Sequence, residues 1–262
     1  MQPLAQPSPK PYHTSKQLPM HTQLKAIIFD VDGTIADTER YGHLPAANDA
    51  MRELGLDITW HWDTFKDWIN TIPGNVNRLK YSLKKEGYTQ QKIERLAEAF
   101  APLKKSIYIN KYLPNLQLRE GVVPLIRQTI SEGVRLAIVS TSYESQIKAL
   151  LQSQLAEFYK YFDPILGKES GRKTENDGFL HKKCLDILNI KPPEAIVIED
   201  SQNGLDAAIC ADIPTVVFYN DYTVGSPFEG AKLIAPNMAG YTLEKLIEHC
   251  FKVDNFSKVV NF

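Results

Sequence analysis

Apolar positions along the chain change their period twice. Leu24 to Phe29 (LKAIIF) is a short apolar run with β-branched content that ends at Asp30, and it predicts a buried strand. From Thr38 to about Leu118 no strand pattern follows. Apolar residues return instead at helical spacing, at Leu44, Ala47, Met51 and Leu54 and again at Ile93, Leu96, Ala97 and Phe100. A helical block of roughly eighty residues, the size of a small domain, is predicted there. Beyond it helix and strand patterns alternate. Helices are predicted at Val122–Ile130, Ser145–Leu155, Phe179–Leu188, Leu205–Cys210 and Leu243–Phe251, and strands at Val134–Val139, Ala195–Ile198 and Pro214–Phe218.

Strands separated by helices pair in parallel through right-handed crossovers. The predicted fold is therefore α/β: a Rossmann-like open parallel sheet core carrying an inserted all-helical cap domain. Residues 24–37 and 119–262 make the core and residues 38–118 the cap. Ligands of such sheets bind outside the carboxyl ends of the strands. The first strand runs straight into the helical block, so the block is expected to hang over that edge as a lid. Trp60, Trp62 and Trp68 are expected in the cap core rather than as an exposed stacking platform.

Composition narrows the classes. Of 262 residues, 43% are hydrophobic and 23% charged, enough for a buried core. Thirty basic against thirty-one acidic residues give a net charge of -1, which removes the electrostatic argument for a nucleic-acid or anionic-membrane partner. Cys184, Cys210 and Cys250 are too few and too scattered for a disulfide framework or a zinc site. No apolar run reaches the ~18 residues of a membrane span. Residues 1–23 are rich in Pro, Ser, Thr and Gln, and predict a disordered tail. That tail lacks a secretory signal's apolar centre, and its lack of arginine weighs against organellar import. A cytoplasmic monomer is expected.

Chemistry gathers just past the strands. The first strand ends in Asp30-Val31-Asp32-Gly33-Thr34, the second in Ser140-Thr141-Ser142 and the AIVI strand in Glu199-Asp200-Ser201. Taken singly, each acid reads as a turn former or a helix N-cap. Taken together, four carboxylates converging on one edge repel one another strongly, and a cation is implied. Oxygen ligands without His or Cys point to Mg²⁺ rather than zinc. Gly33 comes fourth, not sixth as in an EF-hand, and Gly167-Lys168 lacks the rest of a P-loop. No dinucleotide fingerprint follows the first strand.

The stretch KAIIFDVDGTIADTE (Lys25 to Glu39) resembles the first motif of the haloacid dehalogenase-like phosphohydrolases, and VSTS around Ser140, the basic Lys173 and VIEDSQNGLDAA from Val197 follow in the family's order. ERYGH (Glu39 to His43), GLDITWHWD (Gly55 to Asp63) and YTVGSPFEGAKLI (Tyr222 to Ile234) are most similar to its CbbY-like group of sugar-phosphate phosphatases. The resemblance implies that Asp30 is the nucleophile, forming an aspartyl phosphate. Asp32 would be the general acid and base, starting neutral with a raised pKa. Mg²⁺ would sit on Asp30, Asp200 and the main-chain carbonyl of Asp32, with Glu199 acting through a water. Ser140 would bind a phosphoryl oxygen, together with Thr141 and Ser142; an ordinary N-cap is an equally good reading of Ser140. Lys173 would balance the phosphoryl charge, although the loop reads GRKTENDGF without the family's proline, which leaves Arg172 as the alternative cation.

In the cap, Glu39 matches a position that reaches sugar hydroxyls, and His43 is placed on the same wall. Arg78 is the cation expected to bind a second phosphate, with a solvated helix face as the alternative for both Arg78 and His43. Pro73-Gly74-Asn75 stands where the group has Gly-Gly, a departure that weighs against a bisphosphate. The implied activity is hydrolysis of a small phosphorylated sugar, with xylulose 1,5-bisphosphate as the group's type substrate and a β-phosphoglucomutase-like phosphomutase as the alternative. Intact acids in every motif argue against a silent scaffold.

Overall fold

The computed structural model describes residues 24–174 and 177–251. The tail expected over residues 1–23 lies outside the described residues. Six parallel strands form one sheet in the order β3-β2-β1-β4-β5-β6. They are β1 (Ala26–Phe29), β2 (Arg135–Val139), β3 (Phe162–Leu166), β4 (Ala195–Glu199), β5 (Thr215–Phe218) and β6 (Leu233–Ala235). The chain winds outward from β1 on one side and restarts at β4 on the other, which opens the ligand-binding crevice of this topology beside β1.

Side chains alternate across the strands and find helices on both faces. Ile27, Phe29, Leu136, Ile138, Ile196 and Ile198 face a core built with α5 (Val122–Ser131), α6 (Glu144–Gln154) and α9 (Leu243–Phe251). Ala26, Ile28, Ala137, Val139 and Val197 face α7 (Phe179–Leu188) and the last residues of α8 (Gln202–Ile209). In register, Phe29 lies beside Ile138 on one side and Ile198 on the other. One residue further along, Asp30 and Glu199 therefore come level at the same sheet edge.

The helical insertion contains α1 (Leu44–Glu53), α2 (Trp62–Thr71), α3 (Asn75–Lys85) and α4 (Gln90–Ile107). It has its own apolar core around Met51, Phe65, Leu79, Leu83 and Phe100, all fully buried. Trp60 joins that core, stacked 5.8 Å from Phe65 and donating from Nε1 to Ser82 Oγ at 3.0 Å. The insertion leaves and rejoins the sheet through paired segments: Ala36 bridges Leu118, and Arg119 N donates to Ile35 O at 2.8 Å. A π-helical turn marks each end, at Glu39–His43 and Tyr108–Tyr112, a conformation that recurs where function demands an awkward backbone.

Two edge strands escaped the sequence pattern. Asp163 and Pro164 interrupt the apolar run of β3, which the sheet tolerates because β3 is an edge. β6 has three residues, two of them not buried, too few to show a period. Helix α8 starts at Gln202 rather than Leu205 because Ser201 Oγ caps it, accepting from Gly204 N at 3.2 Å.

Candidate active site

Asp30, Glu199 and Asp200 come together at the ends of β1 and β4, each buried, with one oxygen apiece within 4.8 Å of the others. Lys173 joins them from the segment after β3. Its Nζ is 2.5 Å from Asp30 Oδ1 and pairs still more closely with Glu199 Oε1, and the side chain is 3% exposed. Burial works against that ammonium, yet Asp30 and Glu199 hold it charged more firmly than an ordinary lysine. Arg172, the alternative cation, is exposed.

One lysine does not balance three carboxylates. Burial pushes Asp30 up to about 7 in spite of Lys173, with Glu199 and Asp32 adding to the rise. Burial, then Asp30 and Glu199, push Asp200 well above the carboxylate range. These are carboxylates short of positive charge. An all-oxygen donor set of this kind fits a hard divalent cation such as Mg²⁺.

The surrounding backbone is fitted to the cluster. Gly33 has φ +85°, and a Cβ there would fall 2.2 Å from Tyr222 Oη and 2.3 Å from Asp200 Oδ2. A Cβ on Gly204 would fall 2.1 Å from Glu199 Cδ, so only glycine lets α8 pass the carboxylate. Asn220 Nδ2 donates to Asp200 Oδ2 at 2.7 Å and Thr34 Oγ1 to Oδ1 at 3.5 Å. Glu199 Oε2 accepts from Asp200 N at 3.1 Å and Ser201 N at 3.3 Å.

Asp32, two residues from Asp30, has a different environment. Its Oδ1 accepts from Thr38 Oγ1 at 2.5 Å and lies 3.4 Å from His43 Nε2, and its Oδ2 accepts from Ser142 Oγ. Burial favours the neutral acid, but His43, Ser142 and Thr38 together hold the carboxyl well below the usual range. The expectation that Asp32 rests neutral with a raised pKa is thus corrected. Burial does raise the proton affinity, as expected, but the three hydrogen-bond donors outweigh it. Behind His43, Lys104 Nζ approaches Nδ1 at 2.7 Å, which leaves the ring proton on Nε2, facing Asp32. Lys104 is 7% exposed, and burial brings it down to about 8.

The hydroxyl cluster divides. Ser140 is fully buried, and its Oγ accepts from Ser142 N at 3.1 Å, so it caps a turn rather than α6 itself, whose first residue is Glu144. Thr141 is exposed and also precedes the helix. Ser142, expected on substrate, has its hydroxyl on Asp32.

In the cap, His43 is 6% exposed and stacks 4.2 Å from Tyr108, and Arg78 is 4% exposed. The solvated-face alternative fails for both. Arg78 Nε donates to Ile72 O and NH1 to Asn75 Oδ1, both at 3.0 Å, its guanidinium carbon lies 4.8 Å from the Phe65 ring, and NH1 is 3.7 Å from Glu39 Oε2. Trp62 packs partly buried against the cap core, 6.2 Å from the Phe65 ring, and in addition its Nε1 donates to Asp221 Oδ2 across the seam at 3.0 Å.

Sequence reasoning missed Thr38, Lys104, Asn220 and Tyr222. Thr38 lay inside the matched stretch and was readable there. Lys104 sits among the polar residues of a long amphipathic helix, where nothing in the sequence separates one buried lysine from its solvated neighbours.

A family model for haloacid dehalogenase-like hydrolases matches residues 24–212. The chain belongs to the haloacid dehalogenase-like hydrolases, and within them to the CbbY-like phosphatases. The plasmid-encoded protein CbbY of Cupriavidus necator is 35% identical over 234 residues, 86% of this chain and 90% of that protein. A CBBY-like protein of Arabidopsis thaliana is 30% identical over 218 residues, 80% of this chain and 67% of its own. Crystal structures of CbbY from Rhodobacter sphaeroides superpose with a TM-score of 0.71 at 26% identity, covering 85% of this chain and 99% of theirs. One holds phosphate; the other, a point mutant, holds xylulose-(1,5)bisphosphate. β-Phosphoglucomutase from Clostridium difficile, at 21% identity and a TM-score of 0.66, covers 86% of this chain and 96% of its own and is alike in fold. Among the described residues no helix is long and apolar enough to cross a membrane.

Proposed function

We propose that this chain is a Mg²⁺-dependent phosphatase that removes phosphate from a small sugar phosphate, of the xylulose 1,5-bisphosphate kind, through an aspartyl phosphate on Asp30. The observation that carries this reading is Lys173 clasped between Asp30 and Glu199 beside Asp200. The bisphosphate bound to the Rhodobacter relative supports the substrate class.

Lys173 fixes one oxygen of Asp30, and the other is the atom that attacks phosphorus. Asp30, Asp200 and the carbonyl of Asp32 would hold Mg²⁺, with Glu199 behind them. When bound, the ion supplies positive charge against the phosphoryl oxygens and lets the anionic nucleophile approach an anion. Ser140 and the Thr141 N–H receive the transferring oxygens, and Lys173 neutralises their charge.

Asp32 rests as a carboxylate, set to take the proton of the hydrolytic water at Oδ1 or Oδ2. To serve first as acid it takes a proton from solvent as substrate arrives, favoured by the incoming phosphoryl charge, and gives it to the departing sugar oxygen as the P–O bond breaks, which regenerates the carboxylate that receives the water's proton. Ser142, Thr38 and His43 hold it in place, and Lys104 fixes the His43 tautomer. Glu39 meets the sugar hydroxyls, and Arg78 takes the second phosphate in exchange for Glu39. The cap of residues 38–118 closes on a core of residues 24–37 and 119–262, and the enzyme acts as a cytoplasmic monomer.

The test is a panel of sugar mono- and bisphosphates assayed with Mg²⁺ for free phosphate. Asp30→Asn is expected to lose turnover by about 10⁴-fold or more, as removal of a nucleophile does. No phosphate from any member, or full turnover by Asp30→Asn, overturns the reading. Isomerised sugar phosphate with little free phosphate identifies a phosphomutase instead.

A further inference from the structure

Trp62, the first residue of α2, stands on the seam between the helical insertion and the sheet. Its indole donates to Asp221 Oδ2 at 3.0 Å, and Asp221 lies in the loop after β5. The same oxygen takes Arg40 NH1 at 3.4 Å, from the π-helical turn at the entrance to the insertion. The Arg40 guanidinium carbon lies 5.2 Å from the Trp62 ring centre, and the ring meets Tyr222 edge-on at 5.8 Å. These partners are far apart in sequence, so only closure of the insertion onto the sheet brings them together.

The same loop also touches the carboxylate cluster. Asn220 donates to Asp200 at 2.7 Å, and Tyr222 Oη fills the space that a Cβ on Gly33 would need. Three consecutive residues thus reach Asp200, the cap, and both the Gly33 turn and the cap in turn.

We propose that Asp221 is the latch that holds the insertion shut over the strand ends. Trp62 and Arg40 are its cap-side and hinge-side partners, and Asn220 and Tyr222 carry the closed position to Asp200 and the Gly33 turn. With the Asp221 side chain 49% exposed and that of Arg40 42%, the ion pair alone adds little. The indole hydrogen bond and the Trp62–Tyr222 packing dominate. A latch of modest strength suits a lid that must open at every turnover. Only the kinetic part of the test rests on the phosphatase reading.

Asp221→Ala, Asp221→Asn and Trp62→Phe in the full chain are compared with the parent by hydrogen–deuterium exchange and by steady-state kinetics. In Asp221→Ala and Trp62→Phe, exchange of the 219–224 loop and of the start of α2 is expected to quicken by about five- to tenfold, while α1 and α4 exchange as in the parent. Asp221→Asn should fall between, because an amide oxygen still accepts from the indole but carries no charge for Arg40. On sugar phosphates, kcat/KM should fall by a similar factor. Unchanged exchange at both segments in both variants overturns the latch, as does quickening spread equally through α1 and α4, which reports loss of cap folding. A parent that releases no phosphate sinks the functional reading alone, and the exchange pattern still decides the latch.

Discussion

Asp30 and Asp32 are two residues apart on one turn, yet their carboxyls move in opposite directions. Asp30 is pushed up to about 7, whereas Asp32 is held well below the carboxylate range. Both are buried. The difference lies in the company each keeps. Asp30 shares one lysine with Glu199 and lies among carboxylates of the sheet edge. Asp32 collects hydroxyl and imidazole donors, two of them from the hinge and the insertion. Burial sets the cost of a charge, and the neighbours decide whether the charge survives it.

The largest expected effect tests the Asp30 side. Lys173→Met removes the buried cation and is expected to destabilise the metal-free chain by about 3–5 kcal/mol, since it leaves buried carboxylates uncompensated. Urea unfolding with a chelator present measures this, and added Mg²⁺ should restore part of the loss. A loss under ~1 kcal/mol would mean that the lysine is not what holds Asp30 and Glu199 together.

On the Asp32 side, His43→Ala should cost about 10- to 100-fold in turnover, less than the ~10²–10⁴-fold of a general acid or base itself because His43 only positions Asp32. The limb of the pH–rate profile that reports Asp32 should move to higher pH, because His43 is the chief influence lowering that carboxyl. A slower enzyme with an unmoved profile would give His43 a packing role only.

The smallest effect is a difference in pH dependence. Asp30 stands at about 7 when folded against an ordinary 3.8, so between those values the folded metal-free chain binds more protons than the unfolded one. Its contribution to stability therefore falls as pH rises through that window. Asp30→Asn abolishes the fall and should gain ~2 kcal/mol on the parent between about pH 5 and about pH 7, read from paired urea unfolding curves. Titrations common to both chains cancel in the difference. A constant difference would mean that Asp30 is ionised throughout.

Much of this site was legible in the sequence because the chain places it at strand ends. Asp30, Ser140, Glu199 and Asp200 each follow an apolar run, and parallel pairing is enough to bring them to one edge. Lys173 was named, but the choice between it and Arg172 required the fold, which buries one and exposes the other. The cap was read less well. Its helices were foreseen as a block, whereas the burial of Arg78, the Lys104–His43 contact and the place of Trp62 on the seam were not. A helical stripe shows which face is apolar, but not which long polar side chain crosses to another element.

The sequence by itself determined the class of fold, the sheet edge where chemistry gathers and the residue types available there. These follow from periodicities of two and 3.6 and from the rule that parallel strands direct their ends to one side. Only the tertiary structure decided which acid is held charged, which basic residue is buried among the carboxylates and where the insertion meets the sheet. Those depend on burial and on distances of 2.5–3.5 Å between residues up to 181 positions apart, and no local pattern encodes them.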